Sequence, residues 1–236
     1  MLFRSKLWPQ AALHTQWPGD GPKKGQRGDP VFDQFYASQV QYIGVNATVE
    51  TLNREAGAAL LDKIGPAIVM THSQTGAIGW VIADARPKLV RAVIANEPTG
   101  PPFAGAVFDT NRARPYGLTE TPLAYDPPIS NPSELAPVQQ EKADGPNLAR
   151  CYAQPTPARK LANLQNIPIV VIAAESSYHA VYDHCTAKYL QQAGVPAQFV
   201  RLEEAGIRGN GHMLMIEKNN LEIADFIDKW IVKTVK

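Results

Sequence analysis

In Ala67-Ile68-Val69-Met70-Thr71-His72-Ser73-Gln74-Thr75-Gly76 an apolar run stops at a serine, and an amphipathic segment with glycines follows at once. The pattern is a buried strand, a sharp turn and a helix, with Ser73 at the apex. A serine on such a turn projects its hydroxyl clear of the sheet, beside a helix N-terminus. There it can act as a nucleophile, and the backbone N–H of Gln74 can stabilise an oxyanion. The flanks depart from the small-residue form G-x-S-x-G, because Thr71 and Thr75 crowd the approach of strand and helix. Gly76, Ala77 and Gly79 relieve part of that crowding. A plain helix N-cap is the ordinary alternative for a serine in this place.

Outward from the elbow, Pro66–His72 reads as a buried strand and Gln74–Ala85 as a helix that Pro87 stops. Leu89–Asn96 reads as a second strand, ending in Glu97-Pro98. Upstream, residues 1–34 are rich in Gly, Pro and polar residues and read as loop. A helix is expected over Asp33–Gln41. A longer one runs from Asn46 or Thr48 to Ile64, with Thr48 as its cap and Leu52, Ala56, Ala59, Leu60 and Ile64 as its apolar face. Residues 98–157 hold twelve of the twenty prolines and little periodicity. A stretch so long and irregular is usually a functional insertion; it reads as a cap or lid with one helix near Pro132–Lys142. A strand over Ile167–Ala173, a helix over Tyr182–Ala193, a strand over Ala197–Leu202, a glycine-rich loop over 205–212 and a helix over Leu221–Val235 follow. Strands alternating with helices predict an α/β fold with a mainly parallel sheet flanked by helices. Residues 1–97 and 158–236 would form its core.

The chain has 236 residues, 44% of them hydrophobic, and a formal net charge of +1. Charge therefore gives no argument for nucleic acid or for an anionic membrane. No apolar run approaches the ~18 residues of a membrane span. Met1–Pro9 carries basic residues with no apolar run behind them, so no signal peptide is read, and the compartment stays open. Cys151 and Cys185 are too far apart in sequence for a metal clip. Two unpaired structural thiols are the expected state, with one disulfide as the alternative. No metal site is expected. The turn after the first strand has no glycine-rich phosphate cradle.

Three features fall at strand C-terminal ends: Ser73, Glu97 and the loop bearing His212. Serine needs a base to take its proton, histidine suits that task near neutral pH, and a carboxylate fixes the imidazole tautomer. The order Ser, acid, His is that of the α/β-hydrolases. From position alone the acid stays open between Glu97 and Glu175, with Asp183 a third candidate better explained as a helix start. His72 is expected to shape the elbow or pocket. His14, in a loop, and His179 and His184, beside a helix start, read as structural.

Together these residues resemble an esterase-like group of bacterial and fungal α/β-hydrolases. The resemblance rests on Gln16-Trp17-Pro18-Gly19, Gly28-Asp29-Pro30-Val31-Phe32-Asp33, His72-Ser73-Gln74, Glu97-Pro98 with Gly100-Pro101-Pro102-Phe103, and Gly211-His212-Met213 through Glu217-Lys218-Asn219-Asn220. It implies that Glu97 is the acid. It also implies hydrolysis of a small-molecule carboxylic ester without metal or organic cofactor. Trp17, His72, Phe103 and the proline-rich cap would shape the pocket. A homo-oligomer is compatible with this reading. Between Met1 and Gly65 no strand is evident except around Gln39–Val45. The chain is therefore expected to lack the N-terminal strands of such a sheet, leaving a bare edge, and the loop that donates a second oxyanion N–H. The rival expectation is a non-catalytic hydrolase-like protein that binds a ligand or partner.

Overall fold

Val93 and Ala95 face one side of their strand, Ala92 and Ile94 the other, and all four are fully buried. A strand apolar on both faces belongs in the middle of a sheet covered on both sides. The computed structural model, which describes residues 7–235, shows that arrangement. Its elements are α1 (Pro30–Ala37), α2 (Asn46–Ile64), β1 (Ala67–His72), α3 (Gly76–Ala85), β2 (Val90–Asn96), the two-residue strands β3 (Tyr125–Asp126), β4 (Val138–Gln139), β5 (Tyr152–Ala153) and β6 (Lys160–Leu161), then β7 (Ile169–Ala173), α4 (Asp183–Gln192), β8 (Ala197–Arg201) and α5 (Asn220–Thr234). The central sheet runs β1-β2-β7-β8, every pair parallel. Ile169 and Val171 extend the core under α3 and α4, while Val170 and Ile172 extend the core under α5. Met1–Lys6, which opens the stretch read for a signal peptide, lies outside the described residues.

β1 is an outer strand of this sheet, and Met70 on it is 59% exposed. Gln39–Val45 forms no strand beside it. Among the described residues no helix is long and apolar enough to cross a membrane.

Several expectations need correction. α1 starts at Pro30, because Asp29 accepts a hydrogen bond from the Val31 N–H and Pro30 supplies a preset φ for the first turn. α2 begins at Asn46 with no side-chain cap, so Thr48 sits inside the helix. Its buried residues are Glu50, Ala58 and Leu61, whereas Leu52, Leu60 and Ile64 are 50%, 55% and 59% exposed. The helix turns its small and charged stripe inward. Glu50 accepts hydrogen bonds from the Glu120 and Thr121 N–H groups, and Arg54 pairs with the buried Asp84 at 2.8 Å. Gly57 leaves room for Ile82: a Cβ there would lie 2.4 Å from its Cδ1.

The expected helix near Pro132–Lys142 is only a 3-10 turn over Pro132–Leu135, followed by β4, which pairs with β5. Within residues 98–157, Phe103, Leu118, Leu123, Tyr125 and Leu135 join the core under α3 and α4. The cysteines are not free: Cys151 and Cys185 form a disulfide that ties this stretch to α4. Two thiols 34 residues apart in sequence gave no sign of meeting, since only the fold brings their Cα atoms to 5.1 Å.

Candidate active site

Ser73 sits at φ 57, the left-handed region, between β1 and a 3-10 turn (Ser73–Thr75) that opens α3. A non-glycine residue held there costs about 1–3 kcal/mol and needs its surroundings to enforce it. Thr75 does part of that, since its hydroxyl accepts from the His72 N–H at 3.0 Å and donates to the His72 carbonyl at 2.8 Å. The crowding expected from Thr71 is absorbed at Gly79, where a Cβ would lie 2.9 Å from the Thr71 methyl. Gly76 makes a second close approach possible. A Cβ there would meet Pro98 Cα at 2.6 Å, so the turn after β2 lies directly on the elbow. Thr99 fastens that turn by donating from its N–H to the Ser73 carbonyl at 2.9 Å.

The same turn carries Glu97, also at positive φ (47) and fully buried. Its carboxylate accepts from the Ala174 N–H at 2.8 Å and from the Ser177 hydroxyl at 2.7 Å. Glu97 Oε2 lies 2.5 Å from His212 Nδ1, and His212 Nε2 lies 2.8 Å from Ser73 Oγ. The structure thus joins carboxylate, imidazole and hydroxyl in one hydrogen-bonded line. Such a line draws a proton from hydroxyl to imidazole while the carboxylate holds the ring.

Two further glutamates hold the loop that bears His212. Glu217 accepts from the Gly211 N–H at 2.9 Å and the Asn210 amide at 2.8 Å, and its Oε1 lies 2.6 Å from His14 Nε2. Glu175 pairs with Arg208 at 2.6 Å and accepts from the Gly209 N–H at 2.8 Å. Its two carboxylate oxygens are thereby spent on the loop backbone and its neighbour rather than on the imidazole. The segment around His14 completes the support, with the Thr15 N–H donating to the Gly209 carbonyl at 3.0 Å.

His72 rests beside the line, its Nε2 2.8 Å from the His212 carbonyl oxygen. Burial and the neighbouring His212 hold it below the ordinary imidazole value, so it stays neutral. Trp17 and Phe103 have almost no surface to offer a ligand, at 1% and 2% exposed. The Trp17 indole donates to Asp29 Oδ2 at 2.6 Å, and Phe103 packs edge-on against Tyr189. Both are held by packing, and Phe103 also borders a cavity with Arg112, Pro115 and Pro132. Gln74 borders a small depression with Thr99, Arg114 and Glu50.

Sequence reading missed the aromatic cluster behind His212. His179 stacks on the His212 ring at 4.8 Å with 2° between the planes. Its Nδ1 meets Asp183 Oδ1 at 2.9 Å, and Tyr182 OH lies 3.2 Å from its Nε2. Burial drives His179 well below and Asp183 well above their ordinary values, which favours the neutral form of each. Tyr178 places its hydroxyl 3.3 Å from His212 Nε2. The one sequence signal was an aromatic–histidine pair directly after a strand, in Ser177-Tyr178-His179.

Among the described residues, two groups have metal-donor types within reach of one another, Cys151/His184/Cys185 and His72/Glu97/His212. In the first the sulfurs are bonded to each other. In the second, Glu97 Oε2, His72 Nε2 and both His212 nitrogens are already engaged in hydrogen bonds. Neither donor set is presented to an ion.

Among solved structures, a novel bacterial esterase superposes with a TM-score of 0.56 at 18% identity, covering 95% of this chain and 55% of its own. With the parallel sheet and the strand–serine–helix turn already described, that likeness settles the architecture. The chain has an α/β-hydrolase-type fold. A curated relative, "Probable secreted lipase phiG" from Fungal sp. (strain ATCC 74256), is 51% identical over 236 residues. The match takes in 98% of this chain and 64% of the relative, so the chain spans less than two-thirds of that protein's length. No protein-family model matches it.

Proposed function

We propose that this chain cleaves carboxylic esters as a serine hydrolase, through an acyl-serine intermediate. The observation that carries the reading is the hydrogen-bonded line from Glu97 through His212 to Ser73, 2.5 and 2.8 Å long, at a serine held in the left-handed region. Ser73 Oγ attacks the ester carbonyl carbon while His212 Nε2 takes the hydroxyl proton. Glu97 keeps the other proton on Nδ1 and steadies the imidazolium. The Gln74 N–H, in the first turn of a helical run where backbone donors lack intrahelical partners, stabilises the oxyanion. His212 then gives its proton to the departing alcohol, and water resolves the acyl-serine by the same route. These steps draw on side chains, backbone and water alone.

A relative of 51% identity described as a lipase supports ester chemistry. The substrate in this reading is a small-molecule ester, and residues 98–157 form a cap that brings Phe108 against Tyr178 at 4.9 Å. The Cys151–Cys185 disulfide agrees with an oxidising compartment.

The test is labelling of the purified protein with a fluorophosphonate probe, beside Ser73→Ala, with p-nitrophenyl ester turnover followed in parallel. Labelling and turnover in the parent, both abolished in Ser73→Ala, are expected. A folded parent that takes no label would sink the catalytic reading and leave a ligand- or partner-binding protein built on the same fold.

A further inference from the structure

The turn that holds Glu97 also aims a phenol at the reacting atoms. Ser177 donates to Glu97 Oε2 at 2.7 Å, and the next residue, Tyr178, is packed on several sides by rings. Trp8 meets it at 5.8 Å, Phe108 at 4.9 Å, Tyr182 at 6.1 Å and His212 at 4.8 Å between centroids. Trp8 is itself fixed, its indole donating to the Ser176 carbonyl at 2.9 Å. A tyrosine held this way keeps its hydroxyl in one place. That hydroxyl lies 3.3 Å from His212 Nε2, the same nitrogen that lies 2.8 Å from Ser73 Oγ. Burial and the nearby Glu97 push its pKa up, so it stays a donor through the neutral range.

Which oxygen would it meet? In the tetrahedral intermediate the oxyanion is held by backbone N–H groups. The oxygen against His212 Nε2 is the alcohol oxygen, because it must take the proton that Nε2 carries. A hydroxyl set against Nε2 therefore neighbours the leaving oxygen rather than the oxyanion.

We propose that Tyr178 is a further catalytic residue, whose phenol donates a hydrogen bond to the alcohol oxygen of the ester as the C–O bond breaks. The electron pair of that bond stays on the alcohol oxygen. The proton it receives comes from His212 Nε2, which took it from Ser73. Tyr178 keeps its own proton throughout and supplies only a hydrogen bond to developing negative charge. The inference rests on the serine-hydrolase reading and assigns that site a role in leaving-group departure.

The consequence is a dependence on the leaving group. A p-nitrophenolate departs readily without help, whereas an alkoxide is strongly basic and needs a donor. With Tyr178→Phe, kcat/KM for an alkyl acetate should fall about tenfold to a hundredfold, the range of a hydrogen bond to a charged group. For p-nitrophenyl acetate the fall should stay within about threefold, and fluorophosphonate labelling should persist. Tyr182→Phe, which disturbs the same aromatic cluster without reaching Ser73, should change both esters by the same factor. Equal losses on both esters in Tyr178→Phe, or no loss on either, would overturn the assignment. A parent inert to both esters and to the probe would overturn the hydrolase reading and this proposal with it. A parent that takes the label while Tyr178→Phe shows no difference between the two esters would overturn this proposal alone.

Discussion

Glu97 and Glu175 both end up near the histidine loop, and their surroundings separate them. Glu97 is fully buried and holds the imidazole at 2.5 Å, while Glu175 holds the loop backbone at Gly209 and the Arg208 side chain. Glu97→Gln replaces a charge that orients the ring by a neutral amide, and kcat should fall about 10³–10⁴-fold. Glu175→Gln should cost less than about tenfold in kcat while lowering the melting temperature by a few degrees, from one weakened charged contact. Steady-state kinetics beside thermal unfolding checks both; the reverse pattern would exchange the two roles. At this scale the sequence was partly legible. Ser73 and His212 stood out because each punctuates a break in pattern. The acid did not, because both glutamates end a buried strand, and only the spatial path of the loop after residue 205 tells them apart. Tyr178 gave only the faint signal of its pairing with His179 for a related reason: one aromatic residue in a short turn carries no periodicity.

The buried strands were the most legible elements, since β7 is a continuous apolar run and β2 holds one from Ala92 to Ala95, as a covered parallel strand requires. α2 shows where such reading stops. Its inward stripe contains Glu50, Arg54 and Gly57, residues that a hydrophobic pattern assigns to solvent. Glu50 is buried, and Arg54 and Gly57 are half-buried, because they meet polar and close-packed partners: the Glu120 and Thr121 N–H groups, Asp84 and Ile82. The elbow depends on another inconspicuous position. Gly76→Ala would set a methyl 2.5–2.6 Å from Pro98 atoms, including its backbone Cα, which has no rotamer to escape into. Overpacking of this kind costs about 1–3 kcal/mol. Because Pro98 follows Glu97, the shift also moves the carboxylate. The expected outcome is a melting temperature lowered by several degrees together with at least a tenfold loss of kcat. Unchanged kcat in Gly76→Ala would mean that the two turns are not coupled.

At the scale of the whole molecule, the proline-rich stretch and the sheet are one body. Phe103, Leu118, Leu123, Tyr125 and Leu135 share a core with α3 and α4, and Cys151–Cys185 bonds the stretch to α4 covalently. By chain entropy, a crosslink closing 34 residues stabilises by roughly 3–4 kcal/mol. Cys151→Ser with Cys185→Ser should therefore lower the melting temperature by roughly 6–16 °C. Calorimetry of the double variant and of the reduced parent should agree. An unchanged melting temperature in both would show that the loop is already ordered without the bond. The disulfide was the least legible feature of the chain, because pairing depends on a tertiary approach that no local pattern encodes.

The loop of His212 is braced by His14 through Glu217, a contact between residues 203 apart, and by Thr15 through Gly209. Ser73 lies between these distant partners in the order in which the ribosome makes them. A nascent chain therefore carries its serine for well over a hundred residues before the imidazole that would activate it exists. It acquires its bracing glutamate only a few residues later. In the serine-hydrolase reading, Ser73 gains its base only once His212 has been made and folded against it. A serine with no base during that interval is chemically quiet.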